Sequence, residues 1–516
     1  MKTLEILPHA GLNRRFPEHK LVGEKKQYTQ KLWNMLNLDG RFYKHPGASR
    51  YDQTDRGGNV VWAKRIYYQD GADSRKALFC IMNNKFYKGD DSTGTLSQTT
   101  ISNSLNLSVE GNFYPIDATL KIAGTVVTYL VDGKYFYKYS GNNAGDWERL
   151  PIKTDVDGNT IEPTFICEYL DRLWILTKNA NRLIGTANLN PELTNDASDS
   201  VIIELPPGNG GFPKALVVHP NGYLYIIHED YFVPLSGSSP ATFGVKPGNI
   251  TKGHGTRAPR SVTVLNNTVG FLESKNNEYH TMDDLDNPLS YDIKLGELID
   301  PVQSAQTVAT IDTTLNALRI AYYPSGGTLL GDEEIFSLSE KKWCGETRGR
   351  NISCYCQWNG SGDDGRLLTG RSDKGLMMVN DHTYDFDSTP IRVWWVSASY
   401  VAADNINDVQ FEDFMIDARP DGNYTLPIRY YIDQRLTTYG ESSMNMQGEI
   451  TTLFLIDIAQ QKDFLNRDLF LIDANKGRMV RFEIDWEQTN KDLEFYGMYV
   501  RYNSDAPRTM KLISGR

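Results

Sequence analysis

The residues able to do chemistry in this chain are scattered rather than clustered. Its eight histidines stand at 9, 19, 45, 219, 228, 254, 280 and 382, and no two have the three- or four-residue spacing that sets a pair of imidazoles on one helical face for zinc. His219 and His228 flank one hairpin, where they could face each other across it. The run TMDDLDNP offers Asp283, Asp284 and Asp286, but it lacks the glycine and the distal glutamate of a calcium loop and reads as a solvated acidic turn. The glycine-rich PPGNGGFP at 206–213 ends without Lys-Ser/Thr and opens no helix, so it is a turn between structural repeats rather than a phosphate cradle. No G-x-S-x-G elbow is present. The cysteines at 80, 167, 344, 354 and 356 form no CxxC pair; Cys354 and Cys356 would share a strand face. They read as reduced, mostly buried thiols. No catalytic, cofactor-binding or metal-binding residue is assigned, and the expectation is a non-enzymatic protein without a cofactor.

One motif argues the other way. Ser361-Gly362-Asp363-Asp364-Gly365 fits the S-x-D-x-G core of the aspartate box and resembles the hairpins of sialidase propellers, where the motif shapes a turn and does no chemistry. A sialidase-like enzyme also needs arginines gripping a carboxylate and a tyrosine nucleophile with an acid partner. Sequence alone does not assemble them.

The elements that would position any site are strands. Short alternating or aromatic runs bounded by Gly, Asn and Asp fill the chain, whereas only Lys25 to Leu38 and Ile458 to Leu465 suggest helices. Tight-turn residues between paired runs centre near 84, 132, 171, 221, 266, 316 and 362, a mean spacing of about 46 residues. A period of that size, filled by about four strands, is what a propeller blade requires, because each small sheet buries its faces only against its neighbours. The spacing predicts an all-β chain: an arm over 1–55, a β-propeller of six or seven blades over 56–385, and a C-terminal β-sandwich over 386–516. Stacked sandwiches are the alternative. In GRMVRFEIDW, Val480, Phe482, Ile484 and Trp486 fall on one face, and Trp486 belongs indoors. Trp394 and Trp395 are adjacent and must face opposite ways.

Charge narrows the partners. With 54 Lys+Arg against 65 Asp+Glu, a net −11, the chain does not offer a broad grip for phosphates or anionic lipid. No stretch approaches the roughly 20 apolar residues of a membrane span, and the first 20 residues lack the apolar core of a secretory signal, so no membrane insertion is expected.

Several segments, taken in order, resemble one family. They are YTQKLWNMLNLDGRFYKHPGASRYD, ALFCIMNNKFYKG, EEIFSLSEKKWCGETRG, LLTGRSDKGLMMVNDHTYDFDSTPI and GRMVRFEIDW with FYGMYVRYN. Together they are similar to the tail hub, nozzle or packaged-DNA-stabilisation proteins of short-tailed bacteriophages. The resemblance implies a virion tail component made in the host cytoplasm and assembled as a homo-hexameric ring below the portal and adaptor proteins. Such a ring retains packaged DNA, lets the double strand pass at ejection without reading its sequence, and carries a fibre, spike or needle. Longer loops at 241–260 and 323–332 depart from the pattern. For such a ring, Trp394, Trp395, Tyr135, Tyr137 and Tyr139 are the candidate contact residues, since aromatic anchors dominate interfaces, and the arginine-rich arm could reach a neighbour. The rival functions are a glycan- or receptor-binding propeller and a sialidase-like glycoside-cleaving enzyme.

Overall fold

A computed structural model describes residues 2–7, 10–15, 22–23, 26–27, 29–70, 73–89, 94–99, 101–102, 114–141, 147–178, 180–207, 211–358, 366–380, 383–401, 409–419, 424–433, 440–446 and 466–503. They are all-β; the one α-helix among them is the single turn Leu295–Leu298. The chain divides into two compact units, one of Arg50–Glu333 with Gly349–Asn380, the other of Met1–Ser49, Glu334–Arg348 and Asp381–Arg516.

The first unit is a six-blade β-propeller arrangement. Its blades begin at the strands Val60–Asp70, Ile116–Ile122, Pro163–Tyr169, Ala215–Val218, Thr263–Val264 and Ile352–Gln357, each continued outward by antiparallel neighbours. First strands lie against first strands: Pro163–Tyr169 touches those of the second and fourth blades, and Ile352–Gln357 touches Val60–Asp70. Period-two pleating supplies both faces of a blade. In the second blade Leu130 faces the first blade with Trp62, Ile66 and Phe79, while its neighbours Tyr129 and Val131 face Ile166 and Ile175 of the third.

The expected turns are present where the first strand of a blade doubles back or where its second does. Asn83-Asn84 and Leu170-Asp171 each hold two successive positive φ values, the geometry of a tight hairpin. Gly222 takes φ +87, which favours a residue without Cβ. The turn at Asn316 belongs to an extra hairpin, Val308–Asp312 with Ala317–Tyr322, set between the fifth and last blades. That hairpin is why seven turn centres accompany six blades. The loop centred at 362, with the aspartate-box motif, lies outside the described residues, but its flanks Ile352–Gln357 and Leu367–Arg371 pair antiparallel.

Closure of the ring uses residues 51–58. Although they precede the first blade, they bond to the last one through Tyr51 N to Met377 O at 2.9 Å, Gly57 N to Lys374 O at 3.0 Å and Gly375 N to Gly58 O at 2.7 Å. The same segment grips the first blade: Asp52 accepts from Leu96 N at 2.9 Å, and Asn83 Nδ2 donates to Arg56 O and Gly57 O at 3.0 Å. Behind this clasp, Val60, Leu78, Cys80 and Met82 of the first blade pack on Cys354, Cys356, Leu368 and Met377 of the last.

The second unit groups three segments that the sequence reading kept apart. Described strands of residues 1–49, expected as an ordered arm, and of 381–516, expected as a separate sandwich, share its sheets. One sheet runs Asn466–Gly477, Val409–Arg419, Glu494–Asn503, Arg41–Lys44, Met35–Leu38, with Lys2–Ile6 also paired to Glu494–Asn503. Another contains Lys342–Thr347, Thr29–Trp33, Val393–Ser397, Met479–Trp486, Thr425–Ile432 and Gly440–Asn445 in that order. Strand pairing joins the segments, and charge adds to it. Residues 1–49 carry nine Lys/Arg against four Asp/Glu, whereas 381–516 carry fourteen against twenty-two. Arg41 and Arg419 both reach Glu494, at 2.7 and 3.3 Å, and Arg14 and Arg348 share the fully buried Glu334 and Glu346. The two sheets meet through Phe414 on Phe482, with ring centroids 5.0 Å apart, and Trp395 on Phe495 at 5.2 Å.

The helix expected over Lys25 to Leu38 is instead the strands Thr29–Trp33 and Met35–Leu38, broken at Asn34, whose φ is +53. Asn34 is fixed from afar, its N–H donating to Glu346 O and its side-chain amide to Arg392 O. Long-range pairing overrode a local apolar period. Ile458 to Leu465 lies outside the described residues.

Candidate functional site

One buried charge cluster in the propeller was not legible as a site. Arg319, on the strand Ala317–Tyr322, donates Nε to Glu333 at 2.6 Å, Nη2 to the other carboxylate oxygen at 2.6 Å, and Nη1 to Asp312 at 3.0 Å. Tyr355 of the last blade adds a hydroxyl to Glu333 at 2.7 Å. Burial opposes the Glu333 charge, yet the Arg319 guanidinium and the Tyr355 hydroxyl hold its carboxyl below the usual range. Arg350 completes the group, and burial together with the charge of Arg319 lowers it to about 9. Asp312, Arg319, Glu333 and Arg350 are buried and Tyr355 is partly buried, and the arrangement fastens the extra hairpin to the last blade. The only sequence signal was a charged residue at an inward position of an apolar strand.

Arg260 plays a comparable part. Its guanidinium donates to the carbonyl oxygens of Val61 in the first blade, Ser353 in the last, and Gln306 between them, at 3.4, 3.1 and 3.0 Å. The Tyr114 ring covers it, with 3.5 Å between guanidinium carbon and ring centroid.

Histidines gather in the fourth and fifth blades, but not as the hairpin suggested. Val218 pairs with Leu224 and Ala215 with Ile227, so His219 and His228 sit at opposite ends of the strand pair and do not face each other. His219 approaches Asp283 at 3.9 Å. The nearest approach to an acid–base pair is elsewhere: buried Glu273 lies 2.5 Å from His254 Nδ1 and 3.4 Å from His280 Nε2. An imidazole oriented by a carboxylate is half of a nucleophile-activating device. The side-chain partners of these two rings among the described residues are Glu273 and Asn276, with no hydroxyl or thiol in reach. Among the described residues no group of three His, Cys, Asp or Glu side chains could hold a metal ion. Asp283, Asp284 and Asp286 form an exposed turn in which Asp284 accepts from Asn287. His9, His19 and His382 lie outside the described residues.

His228 yields a measurable consequence. Burial against Tyr231, 4.0 Å between ring centroids, lowers its pKa from 6.5 to about 4. The folded chain therefore keeps this ring neutral while the unfolded chain protonates it. The effect is nil above pH 6.5, grows as pH falls toward 4, and costs up to about 3 kcal/mol of stability. Urea midpoints at neutral and acid pH should drop further for the wild type than for His228→Phe; equal drops would remove the assignment.

The candidate contact aromatics divide. Tyr135, Tyr137 and Tyr139 do share one face, but it is the inner face that packs on the first blade; Tyr137 and Tyr139 are fully buried there. Trp395 is likewise core, packed on Phe42 and Phe495. These three are not available to a partner. Pleating decided it: each points into a seam that the sequence did not identify. Trp394 faces the other way, half-buried, edge-on to Trp33 at 4.5 Å, beneath the Lys31 ammonium at 3.5 Å, with its indole N–H donated to Glu483 at 2.9 Å. Tyr135 is partly buried beside Arg149, 4.7 Å from its ring centroid. The cysteines have no disulfides; Cys354 and Cys356 do share a face, directed into the ring-closing core.

No family model and no curated protein matches the chain. Among solved structures it is similar to the WD40 β-propeller domain of Doa1, with 7% identity and a TM-score of 0.36 over 65% of this chain and 96% of that one. It is similar to YCF48 from Cyanidioschyzon merolae, with 10% identity and a TM-score of 0.37 over 65% and 98%. An exo-β-1,3-galactanase from Phanerochaete chrysosporium has 10% identity and a TM-score of 0.27 over 88% and 99%. Likeness at this level says nothing about side chains, and the propeller is identified by its own strand order.

Proposed function

We propose that this chain is a structural, non-enzymatic subunit of a short-tailed phage tail, a nozzle or hub protein. In this reading six copies form a ring that continues the DNA channel below portal and adaptor, retains the packaged genome, passes it at ejection, and holds a fibre, spike or needle. The observation that carries the reading is the use of charge: Arg319, Glu333 and Arg350 are buried in the propeller and, with the partly buried Arg260, fasten its parts together. A protein that must withstand pressure and do no chemistry has reason to place charge there. The ordered resemblance along the chain supports the same reading, as does a net charge of −11, which favours sliding of a duplex over gripping it.

Mass photometry and electron microscopy of the purified chain test it. A ring of about six subunits, and labelling of the chain at the tail of virions, are expected. A monomer at every concentration, absent from particles, would sink the proposal.

The glycan- or receptor-binding reading is favoured by exposed tyrosines, Tyr67, Tyr223 and Tyr291, which are 47, 51 and 44% exposed. Binding of the monomer on a glycan array would support it. The sialidase-like reading needs arginines open to a carboxylate, but the neighbours Arg319 and Arg350 are no more than 2% exposed. Turnover of a fluorogenic sialoside would revive it.

A further inference from the structure

The propeller carries an apolar ridge that its own folding does not ask for. Leu170 and Leu189 are 44 and 50% exposed, and both hold left-handed backbone, with φ +52 and +53. A branched side chain is costly in that conformation, where Asn or Gly fits readily, and its exposure to water returns nothing to the fold. Two exposed leucines at two such positions are therefore retained against both local preferences.

They are neighbours. Leu189 N donates to Asp171 O at 2.9 Å, so the loop after Arg182–Gly185 rests on the Leu170-Asp171 turn. From that turn the ridge crosses to the fourth blade, where the Tyr169 hydroxyl donates to Gly222 O at 3.0 Å beside Tyr223, itself 51% exposed. His219 N donates to Tyr223 O at 2.9 Å, and the His219 ring approaches Asp283. The border is acidic. Glu168, Asp171 and Asp283 are exposed, and none has a lysine or arginine at ion-pair distance among the described residues.

From this ridge we infer that Leu170, Leu189 and Tyr223 form a docking surface for a lysine- or arginine-rich segment of another polypeptide that carries apolar side chains between its charges. The apolar groups supply anchors, and the uncompensated carboxylates select cationic flanks and repel anionic ones. The inference is independent of the tail-protein reading and concerns the propeller alone.

The probe is a short labelled peptide alternating lysine with leucine, followed by fluorescence anisotropy against the full chain. Control peptides carry glutamate for lysine or serine for leucine. Leu170→Asn with Leu189→Asn should leave the thermal midpoint unchanged or raised, because the backbone strain is relieved, while affinity falls about tenfold. Glu168→Gln with Asp171→Asn should weaken binding and flatten its salt dependence. Val302→Asn, at the 83% exposed Val302 elsewhere on the surface, should do neither. Unchanged affinity of the leucine variant overturns the inference. So does a lowered thermal midpoint for that variant, which would make the leucines structural, and so does equal binding of the serine peptide, which would reduce the surface to bare charge. Retention of a glycan or of calcium in place of the peptide would also overturn it.

Discussion

Glu333→Ala should destabilise the propeller by about 3–5 kcal/mol, the largest single loss expected from removing a charged side chain in this protein. The figure follows from what stays behind. Arg319 would keep its bond to Asp312, at 3.0 Å, and would lose two bonds of 2.6 Å, while Tyr355 would lose the acceptor of its hydroxyl. Arg350, already made less basic by burial and by Arg319, would face that guanidinium with less negative charge nearby. Urea unfolding read by tryptophan fluorescence measures the loss; an unchanged slope with a lower midpoint is the expected form. Glu333→Gln, which keeps the shape and an acceptor, should lose less. Equal stability of Glu333→Ala and wild type would mean that the network is slack.

Trp486→Ala should cost the second unit about 3–5 kcal/mol, through a cavity rather than a charge. The indole is 5% exposed, stacks on Tyr424 with centroids 4.7 Å apart, and lies under the Lys44 ammonium at 5.2 Å. Its N–H is buried without a hydrogen-bond partner among the described residues. Trp486→Phe should therefore be nearly neutral, within about 1.5 kcal/mol, since it keeps most of the ring and discards an unsatisfied donor. A Phe variant as unstable as the Ala variant would show that the indole nitrogen matters.

The parts of the fold that could be read in advance were those set by neighbours in sequence. Asn83-Asn84 and Asn221-Gly222 turn where their residue types say they must, the chain also turns at Asp171, and the alternation around Val480 to Trp486 places the dry face correctly. Trp394 and Trp395 do face opposite ways. What could not be read was set by distant partners. The destiny of residues 29–44 depends on strands about 350 to 450 residues later, and the Arg14, Glu334, Glu346, Arg348 cluster combines two segments more than 300 residues apart. Burial of Tyr137 and Tyr139 was hidden for a related reason: their shared face was evident, but which body covers it depends on the order of blades. The exposed leucines were equally hidden, because only the backbone angle makes a leucine at a turn unusual.

The clasp at residues 51–58 sets a timetable. Its partners Lys374 and Met377 leave the ribosome more than 300 residues after it does, so throughout most of synthesis the first blade waits with its Val60, Leu78 and Cys80 face uncovered. A nascent chain stalled before the last blade would offer that face to chaperones or to its own kind, and crowded expression should punish truncations there more than truncations of the same length elsewhere.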